Sequence, residues 1–501
     1  MGPAGIDLRA TGRSVKVSRM QSNHQRILLT VLAGALLGFS LPPVNAEWLG
    51  WIALAPLLVA VMDRKPLAAV GQGMLAGAVC ALLHFGWSAD ADAMRLCLAP
   101  FVGIAVVLGL TAAAGSIFRR RMIGITWITA MAAAGTAAEW LASLTPLPVN
   151  LAMCEFQSRL ILQIVSLTGI WGVSFMIWWT GAAIADFALR RSARALIMST
   201  IVFAAANAVG YGLLTSSSHG TEPTVRVAAI QAHDPGETAA VVTPDPGIVE
   251  PNREAMTLLA SRQGARLAVW SEECLGSAFI TNGRVNPAII AARAGQLYLV
   301  AGFSQDAQRL PYNAAALVGP SGSLLGVYHK IHLFGGEWLS TRPGRETNVY
   351  PTRIGRAGME ICFDNCYPDV TRRLVRAGAQ IIAMPNFDPP TPHGTLHLLH
   401  AALMPFRAVE NHVPLIRADD NGCSEIVSAT GAILSEAPLW KSAVVAAYVT
   451  VGDGRGTLYT RWGDWFAWLC AAATGILLLT STIRRAAHDE RLSAQSEGAR
   501  A

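Results

Sequence analysis

Charge is scarce in this sequence. Of 501 residues only 14% are Asp, Glu, Lys or Arg, where an ordinary soluble domain carries about 25%. With 52% apolar residues and a mean hydropathy of +0.39, that scarcity excludes a disordered chain and argues against a wholly soluble enzyme. Cysteine is sparse too. Eight in 501 residues are too few for a disulfide scaffold, and Cys80, Cys97 and Cys470 lie inside apolar runs. There is no internal repeat and no low-complexity tract. The net charge of +6 is unevenly spread, which argues against a nucleic-acid surface and for charges that orient membrane segments.

What is present is a series of long apolar runs. The first 25 residues are polar and basic, with Arg9, Arg13, Lys16 and Arg19, and Arg26 follows. Run 27–46 comes next and is long enough to span a bilayer, which takes roughly 20 residues. A signal peptide cleaved after Val44-Asn45-Ala46 is the alternative; the long leader and the further runs close behind favour a retained helix. Those runs are 48–62, 66–88, 98–118, 122–138, 160–185 and 195–214, with a last one at 465–483. The expectation is seven helices, a long polar middle and an eighth helix. Arg64-Lys65, Arg119-Arg120-Arg121 and Arg190-Arg191 with Arg194 sit in alternate loops, and the intervening loops hold only Arg95 and Arg159 with Asp90 and Asp92. The Lys/Arg-rich side is cytoplasmic. The N-terminus is then inside, the polar middle outside in the periplasm of a bacterial cell, and Arg484-Arg485 inside again. Glu139, beside Trp140 at the end of a run, reads as an interfacial carboxylate or a functional intramembrane acid.

From about 224 to 451 the texture changes. Segments 225–230, 267–270, 297–301, 314–318, 324–328, 356–361, 380–384, 414–418 and 442–451 read as strands. Gly319-Pro320-Ser321-Gly322 closes a hairpin, and Pro244-Asp245-Pro246-Gly247 reads as a surface turn. Segments 253–262, 286–294, 370–377 and 397–410 read as helices. Strands alternating with helices indicate one α/β domain. The resulting organisation is a cytoplasmic basic leader at 1–25, a seven-helix membrane domain at 26–218, a catalytic domain at 224–452, an eighth transmembrane helix at 463–484 and a cytoplasmic tail at 485–501.

Three strand ends carry reactive side chains: Glu272 and Glu273 after the strand ending at Trp270, Lys330 after Tyr328, and Cys362 after Ile361. Ligands gather at strand C-termini in α/β sheets. A thiol, a carboxylate and an ammonium together make an acyl-transfer site. The thiolate attacks a carbonyl, the carboxylate manages the proton, and the ammonium favours the thiolate and stabilises the oxyanion.

On these residues the middle domain resembles the nitrilase, or carbon–nitrogen hydrolase, superfamily. Leu267-Ala268-Val269-Trp270-Ser271-Glu272 is similar to its glutamate motif, and Tyr328-His329-Lys330-Ile331-His332-Leu333-Phe334 to its lysine motif. The stretch from Gly358 through Cys362-Phe363-Asp364-Asn365-Cys366-Tyr367-Pro368-Asp369 is similar to its cysteine motif. Arg407-Ala408-Val409-Glu410-Asn411 and Asn421-Gly422 also fit. Leu41-Pro42-Pro43, the stretch from Trp51 to Leu57, Glu139-Trp140 and Gly169-Ile170-Trp171-Gly172-Val173-Ser174-Phe175 extend the likeness to the bacterial apolipoprotein N-acyltransferases, over roughly 26–483. The resemblance implies an α-β-β-α sandwich joined to about eight transmembrane helices. It implies Cys362 as nucleophile, Glu272 as general base and Lys330 as oxyanion stabiliser, with Glu337, Phe363 and Asp364 supporting. It further implies a phospholipid donor, a diacylated apolipoprotein acceptor and the bacterial inner membrane, with no cofactor, no metal, no nucleic acid and a monomer.

Two departures keep alternatives open. Ser271 stands where the family usually has Pro, and Glu273 is the alternative base, though strand neighbours face opposite ways. Phe363-Asp364 stands where the acyltransferases usually have an aromatic and Glu, and Cys-aromatic-Asp is closer to the soluble amidases. A membrane-tethered amidase or nitrilase is therefore the second functional reading, and a non-enzymatic scaffold the third. Cys366, four residues after Cys362, reads as a redox partner; zinc-ligand spacing is missing. His393, His397 and His400 read as a polar rim over the site mouth or as contacts to a phosphate headgroup. Phe334 and Trp338, flanking Glu337, read as a loop that dips into lipid or as ordinary packing.

Overall fold

A computed structural model describes residues 22–85, 91–145, 150–217, 223–233, 252–279, 286–307, 309–390 and 394–498. The basic leader up to Arg19, the turn at 244–247, Asp90 and His393 lie outside the described residues.

The N-terminal region is helical. Its main helices are Asn23–Ser40, Gly50–Ala60, Pro66–Phe85, Ala91–Arg119, Ile125–Ser143, Trp171–Arg190 and Arg194–Ser217. Among the described residues four stretches are long and apolar enough to cross a membrane: Pro66–Leu83, Val102–Arg119, Trp171–Arg190 and Arg194–Ser216. That is fewer than the eight runs expected. Gly50–Ala60 is only 11 residues long, with Pro56 inside it. Run 160–185 is broken into Arg159–Leu162, Val165–Thr168 and Trp171–Arg190. The break falls at Gly169, where φ is +68° and a Cβ would lie 2.4 Å from the Tyr459 ring. Only glycine admits that approach in that conformation.

Arg64, Arg119, Arg121 and Arg190 lie at one end of the helices. Arg64 donates to Asn23 Oδ1, and Arg121 to the Thr480 carbonyl. Arg119 and Arg190 both approach Asp186. The opposite ends meet the second half of the chain: Tyr367 Oη donates to the Thr145 carbonyl, Trp171 Nε1 to Asp464, and Trp465 Nε1 to the Leu167 carbonyl. Helix Trp171–Arg190 runs from one end to the other. At 1.5 Å per residue its 20 residues span about 30 Å. Glu139 is fully buried between these ends rather than at an edge. Its carboxylate accepts from Leu151 N, Ser174 Oγ and Trp178 Nε1, which ties three segments together.

Residues 224–450 form two six-stranded sheets, in orders β12-β1-β2-β3-β4-β5 and β11-β10-β9-β8-β7-β6. The strands are β1 Thr224–Gln231, β2 Leu267–Val269, β3 Tyr298–Gln305, β4 Tyr312–Val318, β5 Leu324–His329, β6 Val349–Thr352, β7 Gly355–Met359, β8 Ile381–Asn386, β9 Leu415–Asp419, β10 Glu425–Val427, β11 Ile433–Glu436 and β12 Ala443–Thr450. Side chains alternate across each strand, and here both faces are buried. Val227 and Ala229 of β1 face the second sheet, with Val300, Ile382 and Ile416. Ala228 and Ile230 face the other way, with Ala260 and Ala291 of helices Arg253–Arg262 and Pro287–Gly295. The result is the expected α-β-β-α sandwich. The expected helix at 397–410 is two, Thr395–Ala401 and Met404–Asn411, because Pro405 starts the second.

Helix Met404–Asn411 joins the two halves. Met404 and Ala408 belong to the sandwich core, and Phe406 and Val409 to the core of the helical region. Buried Glu410 accepts from Ile170 N at 2.8 Å and pairs with buried Arg407. Removing one member of a buried pair strands the other charge, at about 3–5 kcal/mol. Glu410→Ala is therefore expected to lower the melting temperature in detergent clearly, and Glu410→Gln, which keeps an acceptor for Ile170, by less. Equal melting temperatures for Glu410→Ala and wild type would remove Glu410 as the tie.

Candidate active site

Strands β1–β2–β3 and β7–β8–β9 are parallel, and their C-terminal ends open on one region. The chain leaves β2 through buried Trp270, Ser271 and Glu272. Glu273 then turns outward at φ +51° and is exposed. The geometry brings Glu272, not Glu273, onto the lysine. Gly302 in β3 makes room for this turn: a Cβ there would stand 2.5 Å from the Ser271 carbonyl and 2.6 Å from Glu272 Cα.

Lys330 follows β5 and is 1% exposed. Its Nζ donates to Glu272 Oε1 at 2.7 Å and to Glu337 Oε1 at 2.9 Å. Glu272 Oε1 also accepts from Asn313 Nδ2 at 2.6 Å, and Glu337 Oε2 from Phe334 N at 2.8 Å. Burial alone would push the lysine down, but Cys362, Glu272 and Glu337 together hold it well above its ordinary value. It stays an ammonium. Asn313 carries no sequence signal that would have singled it out.

Cys362 follows β7 in a left-handed conformation, φ +47°, which is uncommon for any residue but glycine. Its thiol is buried and lies 3.6 Å from the Phe387 carbonyl. Burial and then Glu272 push the thiol up, and Lys330 pulls it down; the net is well above the ordinary thiol value. The resting site therefore pairs a neutral thiol with a cationic lysine held between two carboxylates.

Asp364 aligns the lysine and cysteine segments. Its carboxylate accepts from Tyr328 Oη at 2.6 Å, Ile331 N at 3.1 Å, His332 N at 2.8 Å and Ile361 N at 3.0 Å. Three of those donors lie within two residues of Lys330 and one precedes Cys362. Phe363 forms an aromatic wall with Phe334, at 5.0 Å, and Tyr367, at 5.4 Å, and His332 stacks on Tyr367 at 4.0 Å. The expected pair on the Glu337 loop therefore divides: Phe334 packs, while Trp338 is 66% exposed.

The histidines differ from expectation. His397 and His400 are buried on helix Thr395–Ala401, not set on a rim. Their spacing puts them on one face but cannot say that the face is covered. His400 sits between Asp388 Oδ1, at 2.9 Å, and the Cys362 carbonyl, at 3.1 Å. Among the described residues, Cys362, Asp388 and His400 bring a thiol, a carboxylate and an imidazole within 4.8 Å of one another. The imidazole nitrogens are both engaged, and Arg417 occupies Asp388 Oδ2. Cys366 is a free thiol, as is Cys362.

Asp364→Asn would present an amide N–H₂ to donors that need an acceptor, and so loosen the link between Lys330 and Cys362. Each unit rise in the thiol pKa cuts the thiolate tenfold. Iodoacetamide is expected to alkylate Cys362 about tenfold more slowly in this variant at neutral pH. An unchanged rate would show that Asp364 does not align the pair.

Known families account for both halves of the chain. Residues 226–457 match the family described as Carbon-nitrogen hydrolase, and residues 33–183 the Apolipoprotein N-acyltransferase N-terminal domain. An apolipoprotein N-acyltransferase of Geobacter metallireducens is 28% identical over 92% of this chain and 96% of its own length. One of Chlorobaculum tepidum is 24% identical over 91% and 96%. A nitrilase of Pyrococcus abyssi is 33% identical over 36% of this chain and 74% of its own. The chain belongs to the carbon–nitrogen hydrolase superfamily, and along nine-tenths of its length it is similar to apolipoprotein N-acyltransferases.

Proposed function

We propose that this protein is a membrane N-acyltransferase that moves an acyl chain from a phospholipid to the N-terminal diacylglyceryl-cysteine of lipoproteins. The observation that carries the reading is buried Lys330, bridging Glu272 and Glu337 beside Cys362, on a chain similar to curated apolipoprotein N-acyltransferases along nine-tenths of its length.

The reaction has two halves. Glu272 takes the Cys362 thiol proton as sulfur attacks the ester carbonyl of the donor. The Lys330 ammonium stabilises the oxyanion of the tetrahedral intermediate. The C–O bond breaks, the leaving lysophospholipid oxygen takes the proton from Glu272, and a thioester remains on Cys362. In the second half the acceptor's α-amine attacks that thioester. Glu272 takes a proton from the amine, the C–S bond breaks, and the proton returns to the sulfur as the amide leaves. Glu337 keeps Lys330 aimed throughout. Water must be excluded, or the thioester hydrolyses; the wall of Phe334, Phe363 and Tyr367 suits that task.

Both substrates are lipids, and the helical region is read as the means by which they arrive. Its basic end lies about 30 Å along helix Trp171–Arg190 from the end that meets the catalytic domain, the thickness of a hydrocarbon core. We assign residues 26–218 to seven helices in the inner membrane, 463–484 to an eighth, and 224–452 to the catalytic domain, on the periplasmic side. The basic loops and tail then lie in the cytoplasm. Exposed Trp338 and Leu339, beside Glu337, suit contact with lipid.

The test uses purified protein in detergent with an acyl-labelled phospholipid, with and without a diacylated lipopeptide bearing a free amine. Label is expected in the lipopeptide as an amide with wild type, and none with Cys362→Ala. Label released only as free fatty acid, or activity confined to small amides, would favour the tethered hydrolase instead.

A further inference from the structure

The left-handed backbone at Cys362 is held from below. The Cys362 carbonyl lies 3.1 Å from His400 Nε2. His400 Nδ1 lies 2.9 Å from Asp388 Oδ1, and Asp388 Oδ2 accepts from Arg417 Nη2. Arg417 reaches Asp419 Oδ2 at 3.2 Å, and the same oxygen accepts from Asp388 N at 3.1 Å. The loop after β8 is thereby fixed to the end of β9. His400 then carries that fixity to the nucleophile.

The partners decide the state of the ring. A peptide carbonyl and an ionised carboxylate only accept hydrogen bonds. Both imidazole nitrogens must therefore carry a proton, and His400 is an imidazolium. Burial opposes this, but the Asp388 carboxylate and, after it, Cys366 outweigh it and raise the histidine to about 10. Burial likewise raises Asp388, yet His400 and Arg417 hold it well below the ordinary carboxylate range. Cys366, His397 and Glu425 also face this group. On the Cys362 side stand Lys330, Glu272 and Glu337.

Charge placement matters because the sulfur is near. Cys362 Sγ, an Asp388 oxygen and a His400 nitrogen all lie within 4.8 Å of one another. The Asp388 carboxylate works against a thiolate there. A cationic His400 offsets it. We propose that His400 is a positioning residue for Cys362: it ties the nucleophile's carbonyl to Asp388 and sets a positive charge, in addition to Lys330, beside its sulfur. The inference rests on the reading of Cys362 as the nucleophile. Cysteine, histidine and aspartate together resemble a triad with histidine as base, but the geometry differs. His400 Nε2 is spent on the carbonyl, and an imidazolium has no lone pair to take the thiol proton. That task stays with Glu272.

Two measurements on the full chain in detergent test this. In ¹⁵N-histidine-labelled wild type at about pH 8, where an ordinary histidine is neutral, the signal lost in His400→Gln is expected to be that of a ring protonated on both nitrogens. A neutral tautomer would overturn the proposal. The second is the pH profile of iodoacetamide alkylation at Cys362. His400→Gln keeps an N–H donor but no charge, so its profile is expected to move up by about one unit, tenfold slower at neutral pH. A purely structural role would leave that profile in place, and an unmoved profile in folded His400→Gln would overturn the claim. Should His400→Gln fail to fold, His400→Asn, which also keeps an N–H donor without charge, serves for both readings. Alkylation reads the thiol directly. A failure of acyl transfer with a shifted profile would therefore count against the proposed reaction and not against His400.

Discussion

A lysine ammonium buried to 1% exposure is the constraint around which this catalytic domain is arranged. An isolated ammonium in such a place would lose its proton or unfold its surroundings. Lys330 keeps its charge because two carboxylates from different segments converge on it, Glu272 from the end of β2 and Glu337 from the loop after β5. Each of those carboxylates is itself held, one by Asn313 and one by the Phe334 amide. In the proposed reaction, the charge that would destabilise the core is the charge that stabilises the oxyanion, fixed before any substrate arrives.

Cys362, the proposed nucleophile, depends on the same logic of borrowed order. Cys362 stands in a conformation that its residue type disfavours, so neighbouring groups must hold it. Asp364 joins its turn to the segment that carries Lys330, with four donors on one carboxylate. From the other side the strand ends of β8 and β9 hold it through Asp388, His400 and Arg417. This also bears on the shorter acid at position 364. Aspartate reaches all four donors here, so its presence in place of glutamate is met by local geometry and does not by itself change the chemistry of the site.

Much of this was legible in the sequence because its signals are local. Strands such as β1 and β8 are compact apolar runs, and the three reactive residues each lie within three residues of a strand end. What stayed hidden depended on distant partners. Strand β6 contains Pro351, which reads as a breaker but is tolerated at the sheet edge. Strand β10 has three residues and a buried Glu425, too short and too polar to announce itself. The break at Gly169 is set by Tyr459, almost three hundred residues on. His400 could be placed on a helix face by spacing, but the Asp388 that accepts its proton comes from another strand end. Glu272 and Glu273 lie beyond the end of β2 at Val269, and the left-handed turn at Glu273 separates them, which strand alternation does not describe.

The central claim is that Lys330, held between Glu272 and Glu337, makes Cys362 the acyl carrier. The most direct measurement is the mass of the Cys362 peptide after incubation with phospholipid alone. The account predicts an acyl adduct on Cys362 in wild type, removed by hydroxylamine, and none in folded Lys330→Met. An adduct on Cys362 that forms equally in Lys330→Met, or one that wild type carries on a different residue, would contradict it.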